Sequence, residues 1–246
     1  MQMALAKDNI DTCISLLQKA LDEGAQPVAA FDADNTLWNT DVGEIYFEYI
    51  IDNKLVELPE NPWDHYMSLR NGDNPPEGYL WLAQVMKGVP LEDAQTWSRK
   101  ITEYKPIPVF ESMQYLMEKL QSLSVKTYIV TASVKWAIEG AAQLYNIPPD
   151  QVLGVKTSVV DGKITDEQDG PITWKQGKAE AILQASGDKA PFFCAGNSSG
   201  DIYLLEAASH YQLAVQTVPE DHMIYESELE LHKIALEKGY WTHDHR

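Results

Sequence analysis

In Pro27-Val28-Ala29-Ala30-Phe31-Asp32-Ala33-Asp34-Asn35-Thr36-Leu37 a short apolar run stops at an aspartate, and a second aspartate follows two residues on. The run has the length and make-up of a buried strand, and the Asp and Asn after it favour a turn. Before it, residues 9–23 carry Ile10, Cys13, Leu16, Leu17 and Leu21 at helical spacing, and Gly24 stops them. After it, residues 112–123 read as a helix through Met113, Leu116, Met117 and Leu120, and Val125 to Val130 as a strand ending at Thr131. Trp136 to Tyr145 is helical up to Pro148-Pro149, and Val152 to Val155 is the next strand. Asp161-Gly162 marks the turn of a hairpin between Val159-Val160 and Ile164. A helix over 177–186, a strand from Pro191 to Ala195, a helix from Asp201 to Ala208 and a strand from Tyr211 to Val215 complete the series. Strands alternating with helices give an α/β fold: a doubly wound, mostly parallel, Rossmann-like sheet. Ligands of such sheets bind beyond the carboxyl ends of the strands.

Residues 40–107 break the alternation. They are rich in Trp, Tyr, Pro and acidic residues, with helical stretches at 43–51, 77–86 and 91–104. They read as a helical cap inserted into a core made of residues 1–39 and 108–246. The tail from Pro219 to Arg246 reads as one charged helix and an aromatic-rich end, with His243 and His245 on a solvated terminus rather than on a metal.

Two carboxylates at the end of a strand can face one ligand. Beside a divalent cation, one Asp stays ionised and can attack phosphorus. The other holds a proton for the leaving oxygen and then serves as base toward water. A metal on the first and a drier, hydrogen-bonded place for the second separate the two pKa values in that sense. A solvated turn also shows Asp-x-Asp; the strand before Asp32 and the Asn35-Thr36-Leu37 after Asp34 favour the chemical reading.

Val130-Thr131-Ala132-Ser133 offers a hydroxyl and backbone N–H groups to phosphate oxygens at the next strand end. Ser133 equally suits the cap of the following helix. Gly177-Lys178-Ala179 opens a helix, so Lys178 can neutralise phosphate charge in a transition state; Lys175, three residues earlier, competes for the role. Cys194-Ala195-Gly196-Asn197-Ser198-Ser199-Gly200-Asp201 runs from a strand through small polar residues into a helix. Asn and Asp oxygens there suit magnesium, a hard cation that keeps several waters, and the segment equally fits a strand-to-helix turn with a capping Asp.

The four clusters, in order over residues 27–39 and 108–216, resemble the haloacid dehalogenase superfamily of phosphohydrolases. The resemblance implies Asp32 as nucleophile, Asp34 as acid and base, and Thr36 as a support of their loop. It implies that Thr131, with the Ala132 backbone, and Lys178 bind the phosphoryl group. It places Mg2+ on the Asp32 carboxylate, the Asp34 carbonyl and the fourth cluster, through Asn197 or Asp201. The cap resembles that of the phosphoserine phosphatase branch, and Asp41 and Glu44 fall at the amine-binding positions of phosphocholine-type phosphatases. A small amino-alcohol phosphate is the substrate this implies. Trp63, Tyr66, Tyr79, Trp81 and Trp97 supply either aromatic faces for an ammonium group or the cap's own core. One position departs from the pattern: the fourth cluster usually opens Gly-Asp, and here it is Gly196-Asn197, which keeps an oxygen but drops a charge.

The formal charge is 19 minus 37, or −18, which argues against nucleic acid and anionic membranes as partners. It also repels a phosphorylated small molecule unless a metal and basic groups reverse the field at the site. No apolar stretch approaches the ~20 residues of a membrane span. Lys7, Asp8, Asp11 and Lys19 interrupt the N-terminus, so a cytoplasmic protein without a signal peptide is expected. Cys13 and Cys194 read as buried thiols. Three rivals stand beside the magnesium-dependent phosphomonoesterase. A haloalkanoate dehalogenase does not need Asp34, a phosphotransferase uses the same residues, and Asn197 motivates a non-catalytic phosphate-binding scaffold.

Overall fold

The structure, a computed structural model, describes residues 7–246; residues 1–6, on which part of the signal-peptide reading falls, lie outside the described residues. Six strands, β1 (Val28–Phe31), β2 (Lys126–Val134), β3 (Val152–Val155), β6 (Phe193–Gly196), β7 (Tyr211–Gln216) and β8 (Trp241–Asp244), form one parallel sheet. Its order is β3-β2-β1-β6-β7-β8. The order runs one way from β1 through β3 and the other way from β6 through β8, so the direction switches between β1 and β6.

Helices cover both faces, which explains why β1 shows no polar alternation. Ala29 and Phe31 pack with Ile10, Cys13 and Leu17 of α1 (Lys7–Asp22) and Met113 and Leu116 of α6 (Glu111–Ser122). Val28 and Ala30 face the other way, onto Ile182 of α8 (Gln176–Ser186) and Leu204 of α9 (Ile202–Glu206). Cys13 and Cys194 are both buried; burial pushes the Cys13 thiol up to about 12 and raises that of Cys194 too.

The insertion between β1 and α6 holds four helices: α2 (Val42–Asp52), α3 (Pro62–Arg70), α4 (Pro75–Gln84) and α5 (Leu91–Tyr104). The periodicity of the sequence marks three of them and not α3. That helix is short and mostly polar, and tertiary packing of Trp63, Tyr66 and Met67 holds it. The insertion does not bury a core of its own: Phe47, Tyr66, Met86 and Ile101 belong to the same cluster as Phe31 and Ile129. The contact is close where α5 crosses α7 (Lys135–Ala142). There Ser98 Oγ donates to the Ala137 carbonyl (2.8 Å) and accepts from the Gly140 N–H (2.8 Å). A Cβ on Gly140 would lie 2.3 Å from the Ser98 carbonyl oxygen, so only glycine allows this crossing. The hairpin β4 (Thr157–Val160) and β5 (Lys163–Gln168) also leans on the insertion, with Ile164 N–H on the Val89 carbonyl (2.9 Å) and Gly88 N–H on the Ile164 carbonyl (2.7 Å).

Two boundaries move. β2 runs on to Val134 through a register shift after Val130, so Thr131 lies inside its irregular last part. The tail is corrected more deeply. After α10 (Tyr225–Lys238), the expected loose end is β8, a sixth strand whose Trp241 pairs with Leu213. Trp-Thr-His-Asp has no apolar run because an edge strand needs only half a face. His245 is not solvated: its ring stacks on Phe110 at 3.9 Å. Among the described residues, no helix is long and apolar enough to cross a membrane.

Candidate active site

The sheet delivers Asp32 directly to the switch point: its N–H extends the β1–β6 ladder onto the Ala195 carbonyl (2.9 Å). The chain then turns through Asn35, at φ 58°, a conformation Asn tolerates. Asp32 Oδ2 accepts from Thr36 Oγ1 at 3.1 Å. Its Oδ1 lies 2.5 Å from Lys178 Nζ, and the same ammonium lies 2.5 Å from Asp201 Oδ1. All three side chains are buried, so one cation sits between two carboxylates. Burial pulls the Lys178 ammonium down, yet Asp201 and then Asp32 outweigh it and hold it above its ordinary range. Burial above all, then Asp201, raises Asp32 to about 7 against the pull of Lys178.

Asp34 has other company. Its Oδ1 accepts from Trp38 Nε1 (2.9 Å) and the Val42 N–H (2.7 Å), and its Oδ2 from Ser133 Oγ (2.6 Å). Burial, then Asp41, raises it to about 7 against those three donors. Both carboxylates are therefore raised, but only Asp32 touches a cation. Ser133 does not cap the next helix: the capping residue is Val134, without a side-chain bond, and Ser133 serves Asp34 instead. Gly43 makes room for it, since a Cβ there would lie 2.5 Å from Ser133 Oγ.

Thr131 and Ala132 line the same cavity, and Thr131 Oγ1 accepts from the Ser133 N–H (3.1 Å). Lys175 is not the buried lysine; its ammonium lies over the Trp174 ring, 4.3 Å from the centroid. In the fourth cluster, Asp201 Oδ2 accepts from the Asn197 N–H (3.2 Å), the Ser198 N–H (3.0 Å) and Ser198 Oγ (3.1 Å). With Oδ1 on Lys178, both its oxygens are engaged by protein donors, and Asp201 holds the loop and the lysine rather than facing the cavity. Asn197 Oδ1 lies 3.4 Å from Thr36 Oγ1, the hydroxyl that also touches Asp32, so one hydroxyl links the Asp32 and Asn197 oxygens. The Asn197 Nδ2 donates to Glu228 Oε1 at 2.9 Å.

No three His, Cys, Asp or Glu side chains converge as a metal cluster among the described residues. The oxygen donors that line the cavity and share the Thr36 hydroxyl are the Asp32 carboxylate and the Asn197 amide oxygen. An all-oxygen set with few protein ligands fits magnesium, which keeps its waters, and does not fit zinc.

The cavity, about 670 Å³, is of small-molecule size, and the insertion forms its far wall. Asp41 and Glu44 do not lie on one helix face. Asp41 is the N-cap of α2, its Oδ1 accepting from the Glu44 N–H (2.8 Å), so their spacing of three is that of a cap. Glu44 is paired with Arg70 Nη1 at 2.6 Å. Burial, then Glu44, raises Asp41 to about 7 against Arg70. Trp63, Tyr66 and Trp81 surround Phe47 at 5.6 to 6.1 Å, and Trp97 packs on the same core; of the five aromatics, Tyr66 and Tyr79 also line the cavity.

A family model described as haloacid dehalogenase-like hydrolase matches residues 29–206, which contain all four clusters. The chain belongs to that family. Among individual relatives of this hydrolase, a histidinol-phosphatase from Neisseria meningitidis serogroup C (strain 8013) is 25% identical over 220 residues, 87% of this chain and 96% of the relative. Among solved structures, a Bordetella pertussis Tohama I protein of unknown function superposes with a TM-score of 0.68 at 19% identity, covering 88% of this chain and 97% of that one. A phosphoserine phosphohydrolase-like protein from Francisella tularensis subsp. tularensis SCHU S4 gives 0.54 at 19% identity, covering 83% and 92%. At those identities the two structures establish the shared fold.

Three residues at the hydrolase's site have contacts there that the sequence does not show. Ser133 reads in the sequence as a helix cap and instead serves Asp34. Arg70 lies on the unmarked α3. Glu228 lies far along the chain in α10, with no local signal at all.

Proposed function

We propose that the protein is a magnesium-dependent phosphomonoesterase that passes the phosphoryl group through Asp32 and acts on a small alcohol phosphate bearing an amine. The observation that carries the reaction is the division between the two aspartates: Asp32 on a buried ammonium, Asp34 among neutral donors. An Asp32 carboxylate oxygen attacks phosphorus, and the bond to the ester oxygen breaks. Asp34, raised to about 7 by burial and Asp41, gives its proton to that leaving oxygen. Asp34 then takes a proton from the water that attacks the aspartyl-phosphate, releasing phosphate and restoring Asp32. Lys178, the Thr131 hydroxyl and the Ala132 backbone offset the charge of the phosphoryl oxygens. Asp32, the Asp34 carbonyl and Asn197 would hold magnesium, which supplies further positive charge at the phosphoryl group.

The amine follows from the far wall. Arg70 pairs with Glu44, so Asp41, once ionised, is the negative charge left unbalanced on this wall beside the Tyr66 and Tyr79 rings, a setting that favours a cation. The relative named for histidinol phosphatase supports the same class, since histidinol phosphate carries an amine and an aromatic ring. Two free buried cysteines suit a reducing compartment, and the cytoplasm is the location proposed. The test compares kcat/KM with magnesium on histidinol phosphate, phosphocholine, phosphoserine and glycerol phosphate, for wild type, Asp32→Asn and Asp41→Asn. The amino-alcohol esters should lead, Asp32→Asn should lose turnover, and Asp41→Asn should lose the preference while still cleaving glycerol phosphate. A wild type preferring glycerol phosphate removes the amine; undiminished turnover in Asp32→Asn removes the phosphatase.

A further inference from the structure

An amide stands at position 197 where a carboxylate is usual, and a buried carboxylate behind it gives the reason. We propose that Glu228 is a positioning residue of the metal side of the site. It fixes the Asn197 amide with its oxygen toward Asp32, and it keeps in place, one residue further out, the negative charge that an aspartate at 197 would have carried. The inference rests on the reading of Asn197 as a metal ligand.

Glu228 is 1% exposed and lies in the first turn of α10. Its Oε1 accepts from Asn197 Nδ2 (2.9 Å) and Thr217 Oγ1 (2.7 Å), and its Oε2 from the N–H groups of Thr217 (2.9 Å) and Val218 (3.2 Å). All four neighbours donate, so the carboxylate is fully used as an acceptor and pins α10 to the end of β7. The adjacent Ser227 Oγ accepts from the Ser199 N–H (3.1 Å), tying the same turn to the same loop. With Glu228 fixed, only a donor can face it from position 197. The amide nitrogen takes that place, and the oxygen is left to face Thr36 and Asp32. A carboxylate at 197 would meet the buried Glu228 with no hydrogen between them, and such unpaired buried charges are costly. Asn197 is thus what a buried Glu228 requires. Restoring the usual aspartate alone would not strengthen the metal site.

The polarity can be inverted in a swap. In Asn197→Asp/Glu228→Gln, the new amide at position 228 accepts the two backbone N–H groups through its oxygen, and its nitrogen donates to the new carboxylate at position 197. Wild type, both single variants and the double variant are compared by thermal unfolding in chelator, and then by the rise in Tm on titrating magnesium. Each single variant should lose several degrees in chelator. The magnesium needed for half the stabilisation should rise about 10–100-fold in Glu228→Gln, the range for groups that orient metal ligands. The double variant should recover on both measures. Additive losses in chelator overturn the proposal, as does Asn197→Asp alone with unchanged Tm and a lower magnesium requirement. If a single variant does not fold, a folded double variant supports the proposal and an unfolded one overturns it. Recovery in chelator with one magnesium response in all four proteins also overturns it, and leaves the phosphatase reading untouched, because none of these measurements uses turnover.

Discussion

Lys178→Met removes the ammonium that separates Asp32 from Asp201 and keeps a chain of similar length. In the folded protein it leaves two carboxylates buried at 6% and 0% exposure with their cation gone. Removing one partner of a buried ion pair costs about 3–5 kcal/mol, mostly as the desolvation of the charge left behind. At about 2–4 °C per kcal/mol for a chain of this size, the melting temperature should fall by roughly 6–20 °C. The assay is thermal unfolding in chelator, so that no divalent cation replaces the lost charge. The cause is separable from lost packing by adding Asp201→Asn. The amide oxygen introduced at position 201 still accepts from the Asn197 and Ser198 N–H groups, while one buried charge disappears. Lys178→Met/Asp201→Asn should therefore be more stable than Lys178→Met, although neither turns over at more than about a hundredth of the wild-type rate. A double variant no more stable than the single one would refute the electrostatic account and leave Lys178 as a packing residue.

Two further changes probe other parts of the molecule. Ser133→Ala takes one of three donors from Asp34 and should slow esters of poor leaving groups about tenfold, with little effect on an aryl phosphate, read by comparing kcat on the two. His245→Phe should make the protein more tolerant of acid. Burial, then His243, holds the His245 imidazole down at about 4 against an ordinary 6.5, with Asp244 acting the other way. The unfolded chain therefore binds the extra proton first; stability is complete above about pH 6.5 and declines toward pH 4. For a partly buried ring the loss is about 1–2 kcal/mol after allowance for solvent, and a stability–pH curve in denaturant should be flatter over that window in the variant, where Phe still stacks on Phe110.

What the sequence reveals divides along a physical line. Pro27–Phe31 reads as a strand because it is buried on both faces, and Asp32, Asp34, Thr131 and Lys178 could be singled out because chemistry places them at strand ends and a helix start. α3 and β8 were hidden because each depends on packing rather than on its own pattern, one around Phe47 and the other at the polar edge beside Leu213. The pairing of Asp41 with Glu44 was visible, but spacing alone cannot tell a helix cap from a shared face. Arg70 decides what charge Glu44 presents, and its pairing crosses 26 positions of chain.

The deeper point is how two aspartates separated by a single alanine come to differ. Asp32 still belongs to the ladder with β6, and its partners are Lys178 at the start of α8 and, through Thr36, Asn197 of the fourth cluster at the end of β6. Asp34 has left the ladder, and its partners are Ser133 of β2, Trp38 of its own loop and Val42 at the start of the insertion. The reversal of strand order between β1 and β6 therefore does more than open a crevice. It gives neighbouring residues separate surroundings: a buried ammonium beside Asp32, the nucleophile of the proposed reaction, and neutral donors around Asp34, its proposed acid and base. A change that disturbs the insertion near Gly43 should reach Asp34 without reaching Asp32. One near Glu228 should do the converse.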